Sequence, residues 1–165
     1  MEPRRCSSPK RLFSSRRICA GKRYRAVMLT CYRFGMACGI LLITHPGIGA
    51  ALLNVATGLL RHLPLKTEAF DVPFDADLDT LLPQASSAMR RVDSGDGVLV
   101  MTDLYGASPS NLANRLAKLG TPVRRVSALS LPMLLRVMNY PEQGLQELPA
   151  TAAAGTRNGA IIDDA

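Results

Sequence analysis

Two stretches are apolar without alternation, Ile40–Ile43 and Val98–Met101, each entered through glycine and each running into a polar loop. A strand that buries both faces reads this way, and strands of that kind belong to parallel sheets with helices above and below. The first predicts a strand over Gly39–Thr44, closed by Pro46-Gly47. Helical spacing follows from Ile48 to about His62, where Ile48, Leu52, Val55 and Leu59 make an apolar stripe. Leu65–Val72 reads as a second strand between Pro64 and Pro73. A helix capped by Asp75 or Asp77 then carries Leu78, Leu81, Leu82, Ala85 and Met89 on one face, with Pro83 near its start.

The unit recurs. Asp93–Gly97 is a turn, Val98–Met101 a third strand, and Ser108 caps a helix with Pro109 at its first position. That helix holds Leu112, Leu116 and Leu119 and stops near Gly120. Val123–Leu129 is a fourth strand, placed near an edge by Arg124 and Arg125. Ser130 opens a short helix to about Met138. Another is expected from Pro141 through Leu145 and Leu148, broken or restarted at Pro149 and extended over Ala150–Ala154. Asn158–Asp163 reads as a short last strand. The alternation predicts an α/β fold of three layers: a largely parallel four-stranded sheet with helices on both faces, plus a short C-terminal strand.

Length and charge refine this. The 165 residues suit one core-bearing domain, and 47% hydrophobic against 20% charged residues excludes a disordered chain. No apolar run approaches the roughly 18 residues of a membrane span, so direct membrane insertion is not expected. The net charge of +7 is unevenly spread. Residues 1–35 are rich in Arg, Lys and Ser and hold a single acid, Glu2; the rest is mildly acidic. The chain therefore divides into a basic, disordered extension, 1–35, and a domain, 36–165. The extension is compatible with a transit peptide or a basic arm. The favoured expectation is that it stands outside the working protein, because Met36 immediately precedes the first strand. The folded part offers no polyanion-binding face, so no nucleic-acid partner is expected. Of four cysteines, only Cys38 lies in the domain, and the spacing of Cys6, Cys19, Cys31 and Cys38 matches no zinc pattern. This fits a reducing cytoplasm and a chain without metal or cofactor. Asp75, Asp77 and Asp79 read as a solvated helix N-terminus, and His62 as a surface residue of the first helix's last turn.

Chemistry concentrates where the two apolar strands end. His45 follows the first and Asp103 the third, and adjacent strands in such a sheet bring these ends together at the switch in strand order. A carboxylate on one imidazole nitrogen fixes the tautomer and raises the basicity of the other, which can then act as nucleophile. Helix N-termini after Gly47 and around Ser108–Ser110 can supply N–H donors to a phosphoryl group. His45 and Asp103 are the candidate catalytic residues; Thr44, Gly47, Ser108 and Asn111 are the candidate phosphate-binding ones.

Ile43-Thr44-His45-Pro46-Gly47 before a Leu-rich helix, then Val100-Met101-Thr102-Asp103-Leu104-Tyr105-Gly106-Ala107-Ser108-Pro109-Ser110-Asn111, resembles the IIA domain of the mannose-family sugar phosphotransferase system. Leu131-Pro132-Met133-Leu134-Leu135 is similar to that family's third motif. The resemblance spans about residues 36–163; Tyr105 stands where many members carry Trp. It implies a phosphotransferase working through phosphohistidine. His45 would accept a phosphoryl group from the phosphocarrier HPr, Asp103 would orient it, and the Ser108 loop would help to hold the group. It also implies a homodimer in which the strand near Asn158–Asp163 pairs with the partner's sheet. The acceptor is expected to be a separate IIB domain or a regulatory protein. Two alternatives stand beside this: a regulatory binder switched by His45 phosphorylation, and a phosphotransfer subunit of the dihydroxyacetone-kinase type, which shares the histidine strand.

Overall fold

In a computed structural model, residues 37–163 are described. The basic extension, with Cys6, Cys19 and Cys31, lies outside the described residues. The elements follow in order: β1 (Gly39–Thr44), α1 (Ile48–Leu60), β2 (Thr67–Asp71), α2 (Leu78–Val92), β3 (Val98–Thr102), α3 (Ser108–Leu116), β4 (Val123–Ser127), α4 (Leu131–Met138) and α5 (Leu148–Gly159). The four strands form one parallel sheet in the order β2-β1-β3-β4. The two continuous apolar runs, β1 and β3, are its central strands, and every residue of both is buried.

Alternation within these strands feeds two cores. Leu41, Ile43, Val98 and Val100 face α2 and α3, meeting Ala85, Ala88, Met89, Leu112 and Leu116. Ile40, Leu42, Leu99 and Met101 face the other way, against Ala56 of α1, Met133, Leu134 and Val137 of α4, and Leu148 and Ala152 of α5. At about 1.5–3 kcal/mol for each fully buried aliphatic side chain, these two layers supply the main driving force for the fold. β4 is an edge strand, where Arg124 and Arg125 are exposed.

Several expectations need correction. The buried face of α1 is not the Ile48, Leu52, Val55, Leu59 stripe. Gly49 and Ala56 are buried and Leu52, Leu53 and Leu60 half-buried, whereas Ile48, Val55 and Leu59 are exposed. The small residues decide the face: a Cβ on Gly49 would stand 3.0 Å from Thr44 Oγ1 and 3.3 Å from Ala69 Cβ. The helix ends at Leu60, so His62 lies beyond it and is exposed. Ser108 is the first residue of α3 rather than its cap, which is Ala107 in extended conformation, and Pro109 is second. α3 ends at Leu116, so Leu119 falls outside the helix and is exposed.

No helix runs from Pro141 through Leu148. Residues 141–147 are two short turns joined by irregular backbone, with Gln143 N–H donating to the Tyr140 carbonyl and Glu147 N–H to that of Gly144. Pro149 is the second residue of α5, a position that needs no N–H, so it starts the helix instead of breaking it. Asn158 and Gly159 complete α5, and residues 160–163 pair with nothing in the single chain. Within the single chain these residues therefore form no strand. Ile161 and Ile162 stand exposed. No helix among the described residues is long and apolar enough to cross a membrane.

Candidate functional site

The carboxyl ends of β2, β1 and β3 lie side by side. Ile43 is in register with Thr102, which sets the next residues, Thr44 and Asp103, at matching heights and His45 just above. The sheet thus brings the two sequence-predicted catalytic candidates together. His45 Nδ1 lies 2.7 Å from Asp103 Oδ2, and His45 backbone N–H donates to the same oxygen at 2.8 Å. Leu104 N–H donates to Asp103 Oδ1 at 2.7 Å. A carboxylate only accepts, so the ring proton of the neutral imidazole belongs on Nδ1, the tautomer that leaves the Nε2 lone pair free. Both side chains are largely buried, 19% exposed for His45 and 10% for Asp103, which strengthens their interaction over one in open water.

Thr44 is fully buried. Its hydroxyl donates to the His45 carbonyl at 2.9 Å and accepts from Gly49 N–H at 2.9 Å. These two bonds leave Thr44 as a clamp on the turn that carries His45, with its hydroxyl already engaged. Gly47 caps α1 at φ +84°, a left-handed conformation that glycine adopts without strain. Its N–H donates to Asp71 Oδ2 at 3.2 Å, from the end of β2. Across the site, the first turn of α3 leaves the N–H groups of Ser108 and Ser110 without intrahelical acceptors, while Pro109 has none to offer. Asn111 is exposed, and its Nδ2 donates to the Gly106 carbonyl at 3.3 Å. Asp77 caps α2 by accepting from Asp79 N–H at 3.0 Å, and Asp79 pairs with Arg115, so these acids serve the helix start.

Two neighbours of His45 escaped sequence reasoning. Asp71 is one. Phe74 is the other: its ring stacks on the imidazole, centroids 5.2 Å apart and planes 20° from parallel. The signal was present, since Phe74 follows Pro73 in the loop after the strand that flanks β1. It became readable only once the order of the strands was known. Around the histidine, Ile48, Phe74, Leu104 and Tyr105 are exposed. The site is an open platform with an apolar rim.

A parallel α/β sheet that presents a carboxylate-braced imidazole at its carboxyl edge is the class of site from which a ring nitrogen can act as nucleophile. Residues 39–152 match the EIIA-man family, described as the PTS system fructose IIA component, and the chain belongs to that family. Its place is thus among the IIA components of the sugar phosphotransferase system. The chain is 32% identical over 107 residues to the transcriptional regulatory protein LevR of Bacillus subtilis, an alignment covering 62% of this chain and 11% of that protein. It is 26% identical over 126 residues to the mannose-specific EIIAB component of Escherichia coli K12, covering 75% and 39%. The chain therefore spans less than half the length of these curated relatives. Among solved structures, the mannose/sorbose-specific IIA subunit of Enterococcus faecalis shares the fold with a TM-score of 0.68 at 20% identity, covering 79% of this chain and 97% of that one. A sigma-54 interaction domain protein of the same organism gives 0.62 at 16% identity, covering 74% and 93%.

Proposed function

We propose that the chain is a phosphohistidine carrier that accepts a phosphoryl group from HPr on His45 and passes it to a separate IIB domain or regulatory partner. The observation that carries this reading is the 2.7 Å contact between His45 Nδ1 and Asp103 Oδ2, which leaves Nε2 as the free nucleophile. In the transfer the Nε2 lone pair forms a bond to phosphorus as the N–P bond to the donor histidine breaks, its electron pair returning to the donor nitrogen. The Nδ1 proton stays on the Asp103 hydrogen bond throughout. The carboxylate then offsets the positive charge of a ring substituted on both nitrogens. The start of α3, at Ser108 and Ser110, offers N–H groups for the phosphoryl oxygens, while Gly47 contributes by shaping the turn, its own N–H being held by Asp71. Ser108 and Asn111 supply further polar contacts, and Thr44 contributes by holding the turn. The open apolar rim suits a protein donor rather than an enclosed small molecule.

The carrier works in the cytoplasm and as a homodimer. β4 presents an unpaired edge, and residues 160–163, with Ile161 and Ile162 exposed, are free to add to a partner's sheet. The test of function is transfer of 32P from phosphoenolpyruvate through Enzyme I and HPr. Label is expected on the wild-type chain and absent from His45→Ala; undiminished label on the variant overturns the site.

A second reading is favoured by the 32% identity to a transcriptional regulatory protein. Here phosphorylation of His45 switches affinity for a regulator, and no sugar need be transported. Label that reaches His45 but is not handed to a IIB domain, together with phosphorylation-dependent binding to a purified regulator, would favour this second reading.

A further inference from the structure

Asp103 holds the edge of the His45 ring; Phe74 covers its face. Phe74 is 76% exposed, so burial of its own surface does not explain its position. The loop that bears it starts pinned to β1, Val72 N–H donating to the Thr44 carbonyl at 2.8 Å, and then turns on itself, Ala76 N–H donating to the Pro73 carbonyl at 3.3 Å. Pro73 restricts the backbone immediately before the aromatic residue. The ring is thus delivered to the imidazole from the β2 side while the carboxylate arrives from the β3 side.

We propose that Phe74 is a positioning residue for the phosphorylated state of His45: it fixes the rotation of the imidazole and stabilises the phosphohistidine through its π face. The inference rests on the reading of His45 as a phosphoryl carrier. With the proton held on Nδ1 and a phosphoryl group on Nε2, both ring nitrogens are substituted and the ring is cationic. An aromatic face at stacking distance attracts such a cation more than it attracts the neutral ring. The loss of the group by hydrolysis runs the other way. A water oxygen bonds to phosphorus, the N–P bond breaks with its electron pair returning to Nε2, and the water's proton passes to solvent. The products are neutral His45 and inorganic phosphate. Phe74 therefore favours the reactant over the products, slowing loss of the group and biasing its distribution toward this chain. At an exposed site the attraction corresponds to about a two- to five-fold effect.

The experiment compares wild type with Phe74→Leu, Phe74→Ala and Phe74→Tyr; exposure of the side chain makes all three compatible with the fold. Proton NMR of the unphosphorylated protein reads the stack directly. The His45 Hδ2 and Hε1 signals are expected upfield, through the ring current, in wild type and Phe74→Tyr, and to lose that shift in Phe74→Leu. The half-life of 32P-labelled protein and the equilibrium distribution of label between HPr and this chain then read the consequence. Both are expected to fall two- to five-fold in Phe74→Leu and Phe74→Ala and to be restored in Phe74→Tyr. A phosphohistidine equally long-lived in wild type and Phe74→Leu overturns the inference while leaving the carrier reading intact. Failure of wild type to take label at His45 removes the carrier reading, and this inference with it.

Discussion

A single oxygen of Asp103, Oδ2, receives both the backbone N–H and the ring Nδ1 of His45, at 2.8 and 2.7 Å. Main chain and side chain of the histidine are thereby locked to one acceptor on the neighbouring strand. Asp103→Asn replaces an acceptor-only group with an amide that can also donate, so the tautomer is no longer dictated. The initial rate of His45 phosphorylation is expected to fall by about 10²- to 10⁴-fold with the circular dichroism spectrum unchanged. Quenched-flow or time-course labelling from HPr measures it, and a wild-type rate would reduce Asp103 to a structural brace.

Gly39 opens β1 directly beneath the end of α2. A Cβ there would meet the Val92 carbonyl oxygen at 2.4 Å. That atom belongs to backbone and cannot swing away. Gly39→Ala is expected to lower stability by about 1–3 kcal/mol, read from the midpoint of urea unfolding.

The face of α1 gives a paired test. Val55→Lys and Leu59→Lys alter exposed positions and should stay within about 0.5 kcal/mol of wild type. Ala56→Leu, at a fully buried position, should cost about 1–3 kcal/mol. The reverse ranking in urea unfolding would restore the stripe that the sequence suggests.

Burial, with Asp96 and then Asp93 nearby, pushes the Cys38 thiol above its usual value. The folded chain keeps this proton past the pH, about 8.5, at which an unfolded thiol releases it. The stabilising contribution is complete below that pH and is lost as pH rises toward the folded value. Wild type should therefore lose more stability than Cys38→Ala between about pH 8.5 and 10, as urea unfolding at both values would show. Mapped alkylation at pH 8 should leave the Cys38 peptide unmodified until the protein unfolds.

Ile161→Asp combined with Ile162→Asp places charge on the segment proposed to pair with a second chain. Light scattering should give the mass of two chains for wild type and one for the variant. A wild-type mass of one chain would end the proposal of strand exchange.

What the sequence disclosed and what it withheld follow the same physics. β1 and β3 were legible because strands buried on both faces cannot tolerate polar residues, and so Ile40–Ile43 and Val98–Met101 stand out. Their loops delivered His45 and Asp103 together. α1 misled because nearly all its residues are apolar or small, so periodicity could not choose a face; the choice was made by Gly49 against Thr44 and Ala69. Pro149 misled because proline ends one helix and begins another with equal ease. Phe74 stayed hidden because its neighbour is 29 positions away in the chain, and only the order β2-β1-β3-β4 joins them.

The registry of Ile43 with Thr102 has a further consequence. His45 and Asp103 each directly follow a strand of the hydrogen-bonded ladder at the centre of the sheet, so the proposed nucleophile is set in place by that ladder and has no folding step of its own. A chain that has assembled its core has already assembled its chemistry. Slow exchange of the His45 amide with deuterated solvent, on the timescale of global unfolding, would be its signature. Adaptation to a new partner can then proceed in the rim, through Ile48, Leu104 and Tyr105, without disturbing the pair beneath.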